Sequence, residues 1–397
     1  MAKRSDWQDV GEAKALARRP LSQVEAGETS IALSCRRGKF HAISGACNHL
    51  GGPLGEGTIE GGYVTCPWHF FKFHAATGLG EPGYEDDCVP AYAVKVEAGR
   101  VLVDLASATP RHKTRHAPHT LARPVRRRRG PLRVVGISTT SMTPKRPRYS
   151  TSDALLDVAL EHAASLGATT QSIRLRSLKF RACEGYYSKS ELACQWPCSI
   201  TQADKTDEMA QVYEAFVHGA DVILVATPLR WGAASSLYYR MVERLNSVQN
   251  QQVTAGRVLM KDKVAGFIVT GGQDNVQAVA GQMLGFFAEL GCQFPAFPYV
   301  AHTRGWSAED MANNVRHVQE SEDLRDGARG LVARAMALAR VLLASAADER
   351  GAAPRERRPA SPLVVRRRPL ASADAASKSP AKSARPSTSS TEEGRAR

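Results

Sequence analysis

The 397-residue sequence contains no run of eighteen apolar residues, so we expect no helix that spans a membrane. Its first residues, MAKRSDWQDV, lack the apolar stretch of a secretory signal peptide, and no hydrophobic segment follows the Arg18-Arg19 pair. No Gly-x-Gly-x-x-Gly motif follows a predicted strand, which argues against a separate dinucleotide-binding domain. Since several cysteines are placed for chemistry that needs a reducing compartment, these absences predict a cytoplasmic protein without membrane contact.

The net charge of +14 is concentrated in two segments. Residues 105–133 hold nine Lys/Arg and no acid, and residues 346–397 hold twelve Lys/Arg and six acids, so the remainder is close to neutral. Nucleic-acid binding by these basic arms is an alternative, which the neutral remainder does not favour. Composition divides the chain into four parts, namely a first domain at 1–104, a flexible Pro-rich linker at 105–131, a second domain at 132–345 and a disordered tail at 346–397.

The stretch CNHLGGPLGEGTIEGGYVTCPWH, residues 47–69, carries the sharpest chemical signal. It places a Cys47-x-His49 motif sixteen residues before a Cys66-x-x-His69 motif. Two thiolates and two imidazoles in this arrangement suit a [2Fe–2S] cluster in which the two cysteines hold one iron and the two histidines the other. The glycines between them permit the tight turns of loops that close over a cluster. A tetrahedral zinc site with the same four ligands is the alternative.

The flanking Gly-Gly-Pro and Pro-Trp-His patterns make residues 1–104 resemble Rieske-type proteins. Rieske domains of the cytochrome bc complexes carry two further loop cysteines that form a disulfide, whereas Gly52 and Trp68 stand here, so the chain is similar to the ferredoxin or oxygenase branch. Apolar runs between glycine turns predict a small all-β antiparallel sandwich or barrel. The predicted strands include residues 31–34, 40–43, 63–65, 91–96 and 101–105.

Residues 132–345 alternate short apolar runs with longer helical patterns, which predicts a parallel sheet covered by helices on both faces. The predicted strands are residues 132–137, 170–175, 221–227, 264–270 and 294–300. The predicted helices are residues 152–166, 207–218, 235–245, 275–290 and 308–345. Five strands in this order suit a flavodoxin-like doubly wound α/β sheet, in which a ligand binds at the carboxyl ends of the strands.

Three loops fall at that edge, at residues 138–153, 227–232 and 270–273. The first offers hydroxyls and the N-terminal amides of a helix to a phosphate, the second a flat aromatic shelf, and the third glycines that admit close approach. The predicted cofactor-binding residues are Ser138, Ser150, Thr151, Ser152, Thr227, Pro228, Leu229, Arg230, Trp231, Gly232, Thr270, Gly271 and Gly272. Plain strand-to-helix turns are the alternative interpretation of these loops.

Together the loops resemble the FMN-dependent NAD(P)H reductase family of flavodoxin-like proteins, over about residues 132–300. The resemblance implies that the first loop holds the FMN phosphate and that the other two frame the isoalloxazine ring. It also implies that the nicotinamide of NAD(P)H stacks directly on the flavin. The first loop departs from the Gly-Ser-x-Arg opening of the family, because Ser138-Thr139-Thr140-Ser141 stands there instead.

An insertion at residues 180–209 holds Cys183, Cys194 and Cys198. Iron–sulfur flavoproteins of the same superfamily carry a compact four-cysteine motif at this place. A second iron–sulfur or metal site at these three cysteines is therefore one hypothesis, although a fourth ligand is missing. A lid over the substrate or a loop for subunit contact is the other. The linker histidines His112, His116 and His119 are interpreted as a solvated face rather than a metal site.

The two resemblances imply an FMN-dependent NAD(P)H oxidoreductase that passes electrons through FMN to the Rieske cluster and on to an unidentified small-molecule or protein acceptor. The alternatives are a non-enzymatic fused ferredoxin–flavodoxin electron carrier for a separate oxygenase or reductase, and a redox sensor whose basic arms bind a partner. The choice of NADH or NADPH, and homo-oligomer formation, stay open. Opposite charges predict docking between the domains, with acids at Glu85, Asp86 and Asp87 and bases at Lys145, Arg146, Arg148 and Arg230.

Overall fold

The computed structural model describes residues 5–113, 119–127, 130–143, 145, 148–188, 191–271, 275–303, 305 and 307–351. Both predicted domains belong to one unit, Met1–Ala347, and a second unit begins at Asp348. The strands of the described residues are β1 Trp7–Glu12, β2 Leu21–Ala26, β3 Thr29–Arg36, β4 Lys39–Ser44, β5 Thr58–Glu60, β6 Tyr63–Thr65, β7 Lys72–His74, β8 Ala91–Glu97, β9 Arg100–Asp104, β10 Arg133–Ser138, β11 Thr169–Arg174, β12 Val222–Pro228, β13 Val264–Gly271 and β14 Tyr299–Thr303.

The α-helices of the same residues are mostly in the second domain. They are α1 Ala13–Leu16, α2 Thr151–Ser165, α3 Ser199–Ala203, α4 Met209–Tyr213, α5 Ser236–Gln249, α6 Gln251–Ala255, α7 Val276–Glu289, α8 Ala308–Glu320 and α9 Glu322–Gly351. None of the helices in the described part of the chain combines the length and apolar character needed to cross a membrane.

The first domain consists of two antiparallel sheets. Six strands pair in the order β1-β9-β8-β4-β3-β2, and β5, β6 and β7 form a smaller three-stranded sheet. Alternating apolar residues such as Ile31 and Leu33, with Val101 and Val103, fill the core of the larger sheet. The predicted small all-β antiparallel fold is confirmed. Its geometry places one motif loop after β4 and the other between β6 and β7.

The second domain contains a five-stranded sheet in the order β11-β10-β12-β13-β14, with every neighbouring pair parallel. Counted along this domain, that order is 2-1-3-4-5, the flavodoxin-like arrangement. Apolar clusters cover both faces of the sheet, because strands buried on both sides need helices above and below them. The order reverses between β10 and β12, and a doubly wound sheet binds its ligand at the carboxyl ends of such strands.

Two predicted elements of this domain were placed or joined incorrectly. The last strand is Tyr299–Thr303 rather than residues 294–300, because Phe297 adopts a positive φ of 51° and turns the chain just before the strand. The helix predicted over residues 308–345 is two helices. Ser321 leaves the helical conformation with a ψ of 109°, and its hydroxyl accepts a hydrogen bond from the Leu324 amide, so it ends α8 and caps α9.

Several described residues of the predicted linker contact one of the two domains, whereas Pro124, Val125 and Arg126 are exposed. The flexible linker as a whole stays a prediction. Residues 109–113 run beside residues 88–91 of the first domain. In the second domain, Leu121 is buried in a core cluster and its carbonyl lies 3.0 Å from His218 Nε2. Arg123 pairs with Glu214. The predicted tail starts inside α9, and residues 352–397 lie outside the described residues.

Candidate functional site

The four predicted metal ligands come together from two loops of the first domain. The ring centroids of His49 and His69 are 4.5 Å apart in an edge-to-face contact. The thiols of Cys47 and Cys66 share a hydrogen bond. Thiol is thus paired with thiol and imidazole with imidazole, which is the division of ligands that a two-iron cluster with Cys₂His₂ ligation requires.

A single zinc ion would instead need at least three side chains around one point. Among the described residues, no group of three or more His, Cys, Asp and Glu side chains could hold one metal ion. The pairing of thiol with thiol and of imidazole with imidazole is the arrangement expected for a two-iron cluster, in which each iron takes one pair.

The environment of His69 and Cys66 favours the protonation states that bind metal. Burial lowers the pKa of His69 to about 3, so its imidazole is neutral at neutral pH. Both ring nitrogens of His69 are buried and have no hydrogen-bond partner among the described residues, which is costly unless a ligand occupies one of them. The hydrogen bond from Cys47 lowers the pKa of Cys66 to about 7, and that same bond together with burial raises the pKa of Cys47. A neutral imidazole and an accessible thiolate are the forms that coordinate iron.

The loops fit closely around the ligand set. A Cβ atom added to Gly52 would lie 2.7 Å from Cys66 Sγ and 3.1 Å from the Trp68 ring, so only glycine fits there. Trp68 is itself buried, and Phe71 stacks on His49 with ring centroids 4.8 Å apart. Apolar side chains thus limit the access of water to the four ligands, and the residues present fit a [2Fe–2S] cluster.

Asn48, between the two ligands of the first motif, joins that loop to a third one. Its Nδ2 donates to Asp87 Oδ1 and to the Cys88 carbonyl, each at 2.8 Å. Asp87 is 2% exposed, so it is part of this buried network rather than of an exposed acidic patch. The predicted docking surface therefore keeps only Glu85 and Asp86 as exposed acids. Among its predicted basic partners, Arg146 lies outside the described residues.

The three predicted cofactor loops of the second domain meet at the carboxyl edge of the sheet. Thr151 Oγ1 and Thr270 Oγ1 are 2.6 Å apart, which joins the first loop to the third. The Leu229 amide donates to the Thr270 carbonyl at 2.8 Å, which joins the second loop to the third. Ser235 Oγ, at the start of α5, donates to the Thr139 carbonyl at 2.6 Å. Described parts of all three loops therefore lie next to one another at this edge.

The hydroxyls of the first loop differ in what they can contact. Ser138 is fully buried and donates to Asp153, so its hydroxyl is directed into the protein. Ser150 caps α2 by accepting from the Asp153 amide at 3.4 Å, and its Oγ lies 3.3 Å from that of Ser152. The start of α2 offers amides and a favourable dipole to an anion. A phosphate contact through Ser138 is therefore less favoured than one through the start of the helix.

Sequence reasoning missed the ion pairs beneath this loop. Asp153 Oδ2 accepts from Arg174 Nη1 at 2.7 Å and from Arg176 Nη1 at 2.8 Å. The signal was present in the sequence, because Arg174 ends the second strand, Arg176 follows two residues later, and Asp153 lies in the first turn of α2. These pairs fix the N-terminal turn of α2 to the end of β11.

The second loop presents an aromatic side chain at the edge. Arg230 and Ala233 exchange backbone hydrogen bonds of 2.8 and 2.9 Å, which close a tight turn around Trp231 and Gly232. Trp231 has a φ of 51° and is 88% exposed, and Asn275 Nδ2 holds the Gly232 carbonyl at 2.7 Å. The turn is thus fixed by hydrogen bonds and leaves the indole exposed, so that a planar ligand could stack on it.

The remaining predicted residues of this edge shape its floor. Thr227 and Pro228 end β12, and Leu229 is buried. A Cβ on Gly271 would lie 2.7 Å from Leu229 Cβ, so the third loop passes close to the second. Gly272, also predicted to bind the cofactor, lies outside the described residues. An exposed indole, a close approach at Gly271 and the N-terminal turn of α2 fit a flavin with a phosphate.

A second metal site at the three insertion cysteines is not supported by the described residues. Cys194 Sγ accepts from Asn246 Nδ2 at 3.2 Å, and burial raises the pKa of Cys194 to about 11. No metal-binding group was found among the described residues, and the hypothesis of a second iron–sulfur site is not supported. A cavity of about 500 Å³ lies beside Cys183, with Glu243, Asn246, Phe286 and Glu289 among its lining residues.

The insertion does contact the first domain. Ala193 is 1% exposed and belongs to the same hydrophobic cluster as Cys47, Cys66 and Trp68. This contact was not predicted, since the sequence does not show which surface an insertion covers. The linker histidines are separate: His112 Nδ1 contacts the Asp86 carbonyl, His119 caps a short 3₁₀ helix, and His116 lies outside the described residues.

Comparison with known families identifies two matches. The Rieske [2Fe-2S] domain matches residues 6–93, and NADPH-dependent FMN reductase matches residues 133–307. Over 99 residues the chain is 35% identical to the 3-phenylpropionate/cinnamic acid dioxygenase ferredoxin subunit of Escherichia coli (strain K12), covering 23% of this chain and 93% of that protein. Over 85 residues it is 36% identical to the alkene monooxygenase system, ferredoxin component, of Xanthobacter autotrophicus, covering 21% and 68%.

Other similarities are partial. The chain is 36% identical over 83 residues to apoptosis-inducing factor 3 of Homo sapiens, but this match spans only 14% of the length of that protein and 21% of this chain. Among solved structures, RosB with a bound intermediate is 20% identical, covers 63% of this chain and 100% of its own, and has a TM-score of 0.41. The apo form of NADH:FMN oxidoreductase (EMOB) is 17% identical, with coverages of 52% and 88% and a TM-score of 0.34.

Proposed function

The chain belongs to the Rieske [2Fe–2S] family and carries an NADPH-dependent FMN reductase domain after its Rieske domain, and from this premise we propose that it is an FMN-dependent NAD(P)H oxidoreductase. In this proposal the protein takes electrons from NAD(P)H at the second domain, passes them to its own Rieske domain and delivers them to a small molecule or protein. The matched families agree with the fusion that the two sequence resemblances predicted.

Each cofactor has a defined set of residues in this proposal. Cys47, His49, Cys66 and His69 would hold the [2Fe–2S] cluster, and the edge built from residues 138–152, 227–232 and 270–272 would hold FMN. When bound, FMN can accept a hydride and release its two electrons one at a time, and the cluster can carry one electron. Trp231 would offer a planar face to the isoalloxazine ring, while the start of α2 would attract the phosphate. Trp68 and Phe71 would keep water from the histidine side of the cluster.

The observation that carries the proposal is the formed ligand set of the Rieske domain in contact with the reductase domain. Ala193 of the insertion is buried in the hydrophobic cluster that contains Cys47 and Cys66. A residue of the reductase domain is therefore packed into the apolar cluster of the Rieske domain that also contains the two ligand cysteines. This contact supports electron flow between the domains of one protein rather than two unrelated activities on one chain.

The proposal is tested by anaerobic reduction of the purified full-length protein with NADPH and, separately, with NADH. We expect bleaching of the flavin absorption followed by the EPR signal of a reduced Rieske cluster, with one FMN and two irons per chain. The matched control is His69→Ala, which should lose the cluster signal and still bleach the flavin. Flavin reduction without any cluster reduction in the native protein would contradict the proposed route, and preference for one nucleotide would identify the donor.

A second candidate is a fused electron carrier that serves a separate oxygenase. It is favoured by the matched relatives, which are ferredoxin components of monooxygenase and dioxygenase systems. A carrier would show no flavin bleaching with either nucleotide alone, and both centres would be reduced only after addition of a separate reductase. The same anaerobic experiment therefore distinguishes the two candidates. Homo-oligomer formation stays open, and sedimentation of the purified protein would test it.

A further inference from the structure

The segment Thr109–Lys113, here called the strap, lies along the Rieske ligand loops although it follows the family match at residues 6–93. The Thr109 amide donates to the Ala91 carbonyl at 3.0 Å. Cys88 and His112 exchange backbone hydrogen bonds of 2.9 and 3.0 Å. The strap therefore pairs antiparallel with the loop of the Rieske domain that contains Asp87 and Cys88. The strap thus lies alongside the end of the Rieske domain that carries the four predicted ligands.

Two cations of the strap hold the loop that carries Cys47 and His49. Arg111 Nη1 donates to Asn48 Oδ1 at 2.5 Å, and its Nη2 donates to Ser44 Oγ at 2.6 Å. Both of these nitrogens also lie 3.2 Å from the Ala46 carbonyl. A planar guanidinium is suited to such forked contacts, which a lysine could make only in part.

Lys113 holds the same loop at its other end. Its Nζ donates to the carbonyl of His49 itself at 2.7 Å. The two contacts therefore surround the first ligand motif, with Arg111 on the residues before Cys47 and between the ligands, and Lys113 on the second ligand.

Asn48 connects these contacts to the buried network. Its Oδ1 accepts from Arg111, and its Nδ2 donates to the His112 carbonyl at 2.7 Å as well as to Asp87. Asn48 is 7% exposed and Asp87 2% exposed. The strap is thus fixed to the ligand loop through its backbone and through two charged side chains, and Arg111 lies opposite the buried Asp87 carboxylate across the Asn48 amide.

We propose that Arg111 and Lys113 are positioning residues for the [2Fe–2S] cluster, which hold the Cys47–His49 loop in place and raise the reduction potential of the cluster by their charge. This inference rests on the proposed function, because it requires the cluster. The physical reasons are that partners of the ligands orient them and tune a metal centre, and that nearby positive charge favours an added electron. Arg111 and Lys113 are both exposed residues, so salt should weaken the charge effect.

The test compares full-length variants Arg111→Gln, Arg111→Lys and Lys113→Gln with the control Arg100→Gln. Arg100 pairs with Asp9 between β1 and β9 and makes no contact with the ligand loops among its described hydrogen bonds. Two quantities are measured, the ratio of oxidised to reduced cluster by EPR at a fixed solution potential, and the rate of iron release to a chelator.

We expect Arg111→Gln to raise the oxidised-to-reduced ratio about threefold and the rate of iron release about tenfold. Lys113→Gln should raise the same ratio about twofold. Arg111→Lys should keep the ratio near the native value because the positive charge is retained. It should release iron faster because lysine cannot make the forked hydrogen bonds of the guanidinium group. The ratio shifts should shrink at 1 M salt. If Arg111→Gln does not fold, Lys113→Gln decides the outcome by its ratio.

The inference is overturned if Arg111→Gln and Lys113→Gln match Arg100→Gln in both measurements while the native protein shows a Rieske EPR signal. Native protein that lacks iron and acid-labile sulfide would instead refute the cluster, and with it the proposed function. The two failures are therefore distinguishable in one set of samples.

Discussion

Arg244 and Asp207 form an ion pair in which both side chains are fully buried, with Arg244 Nη2 2.6 Å from Asp207 Oδ2. Arg244 also donates to Thr201 Oγ1 at 2.7 Å and to the Arg181 carbonyl at 2.8 Å. These bonds join both ends of the insertion to α5. Because the insertion carries Ala193, this buried pair also anchors the segment that packs into the apolar cluster of the Rieske domain.

We expect either Arg244→Ala or Asp207→Ala to lower the free energy of unfolding by about 3–5 kcal/mol, since each leaves one buried charge without its partner. The double variant Arg244→Met with Asp207→Leu should lose much less, because it removes both charges. Urea unfolding of the purified proteins measures the difference. Arg329→Ala, at an exposed ion pair of α9, is the control and should change little. A double variant as unstable as the single ones would contradict this account.

Gly52→Ala should prevent assembly of the cluster, because the new Cβ would lie 2.7 Å from Cys66 Sγ. Iron and acid-labile sulfide per chain measure the loss, with circular dichroism to confirm that the protein is folded. Gly281→Ala in α7 is the matched control, because a Cβ there meets no atom within 4 Å. It should keep the full cluster content, since alanine is a better helix former than glycine. Equal iron content in the two variants would show that Gly52 is not part of a tight cradle.

Trp231→Ala should weaken FMN binding about fivefold, which corresponds to about 1 kcal/mol for the loss of an aromatic contact. Phe297→Ala is the matched control, because Phe297 is also an exposed aromatic with a φ of 51° but lies before β14. Fluorescence titration of the apoprotein with FMN gives both dissociation constants. If the two variants bind FMN equally well, Trp231 does not contact the isoalloxazine ring.

Lys263 should make stability rise with pH in the alkaline range. Burial lowers the pKa of Lys263 to about 8 from an unfolded value of 10.5, although its Nζ donates to the Ala220 carbonyl at 2.6 Å. Between those two pH values the unfolded chain binds more protons than the folded one, so the free energy of unfolding rises as pH increases. This added stability is present above pH 10.5 and is lost as pH falls through 8.

The comparison with Lys263→Met isolates this effect from other titrating groups, such as the buried thiol of Cys292, whose raised pKa acts in the opposite direction. The stability of the native protein relative to Lys263→Met should increase by up to about 3 kcal/mol from pH 8 to pH 10.5. Urea unfolding across this range provides the measurement. A constant difference between the two proteins would mean that Lys263 does not titrate differently on unfolding.

The sequence was sufficient for the parts of the protein that depend on local pattern. Buried runs such as Val222–Pro228 predict central parallel strands because both faces of such a strand are covered. The spacing of Cys47, His49, Cys66 and His69 predicts one ligand set, because the glycines between them permit the tight turns of two loops that close over a cluster. The individual FMN contacts stay predictions, although the three loops that carry them meet at one edge.

The unpredicted parts depend on contacts between residues far apart in the chain. Arg111 looked like one of many linker cations, and only its contacts with Asn48 and Ser44, more than sixty residues earlier, distinguish it from a solvated arginine. Asp87 looked like part of an acidic surface, and its burial follows from its contact with Asn48, 39 residues away. Composition describes what a segment can do when solvated, and it does not specify the surface on which the segment is packed.

The contacts of the strap also determine the length of the tether between the domains. Lys113 is bonded to the Rieske loop and His119 caps the short helix whose Leu121 is buried in the reductase core, so six peptide steps join the two anchored points. A fully extended chain of that length reaches about 20 Å. Any larger separation of these two points would require Lys113 to detach from His49, and detachment of Arg111 from Asn48 would lengthen the tether further. The travel of this domain is therefore mechanically linked to the loop that carries Cys47 and His49.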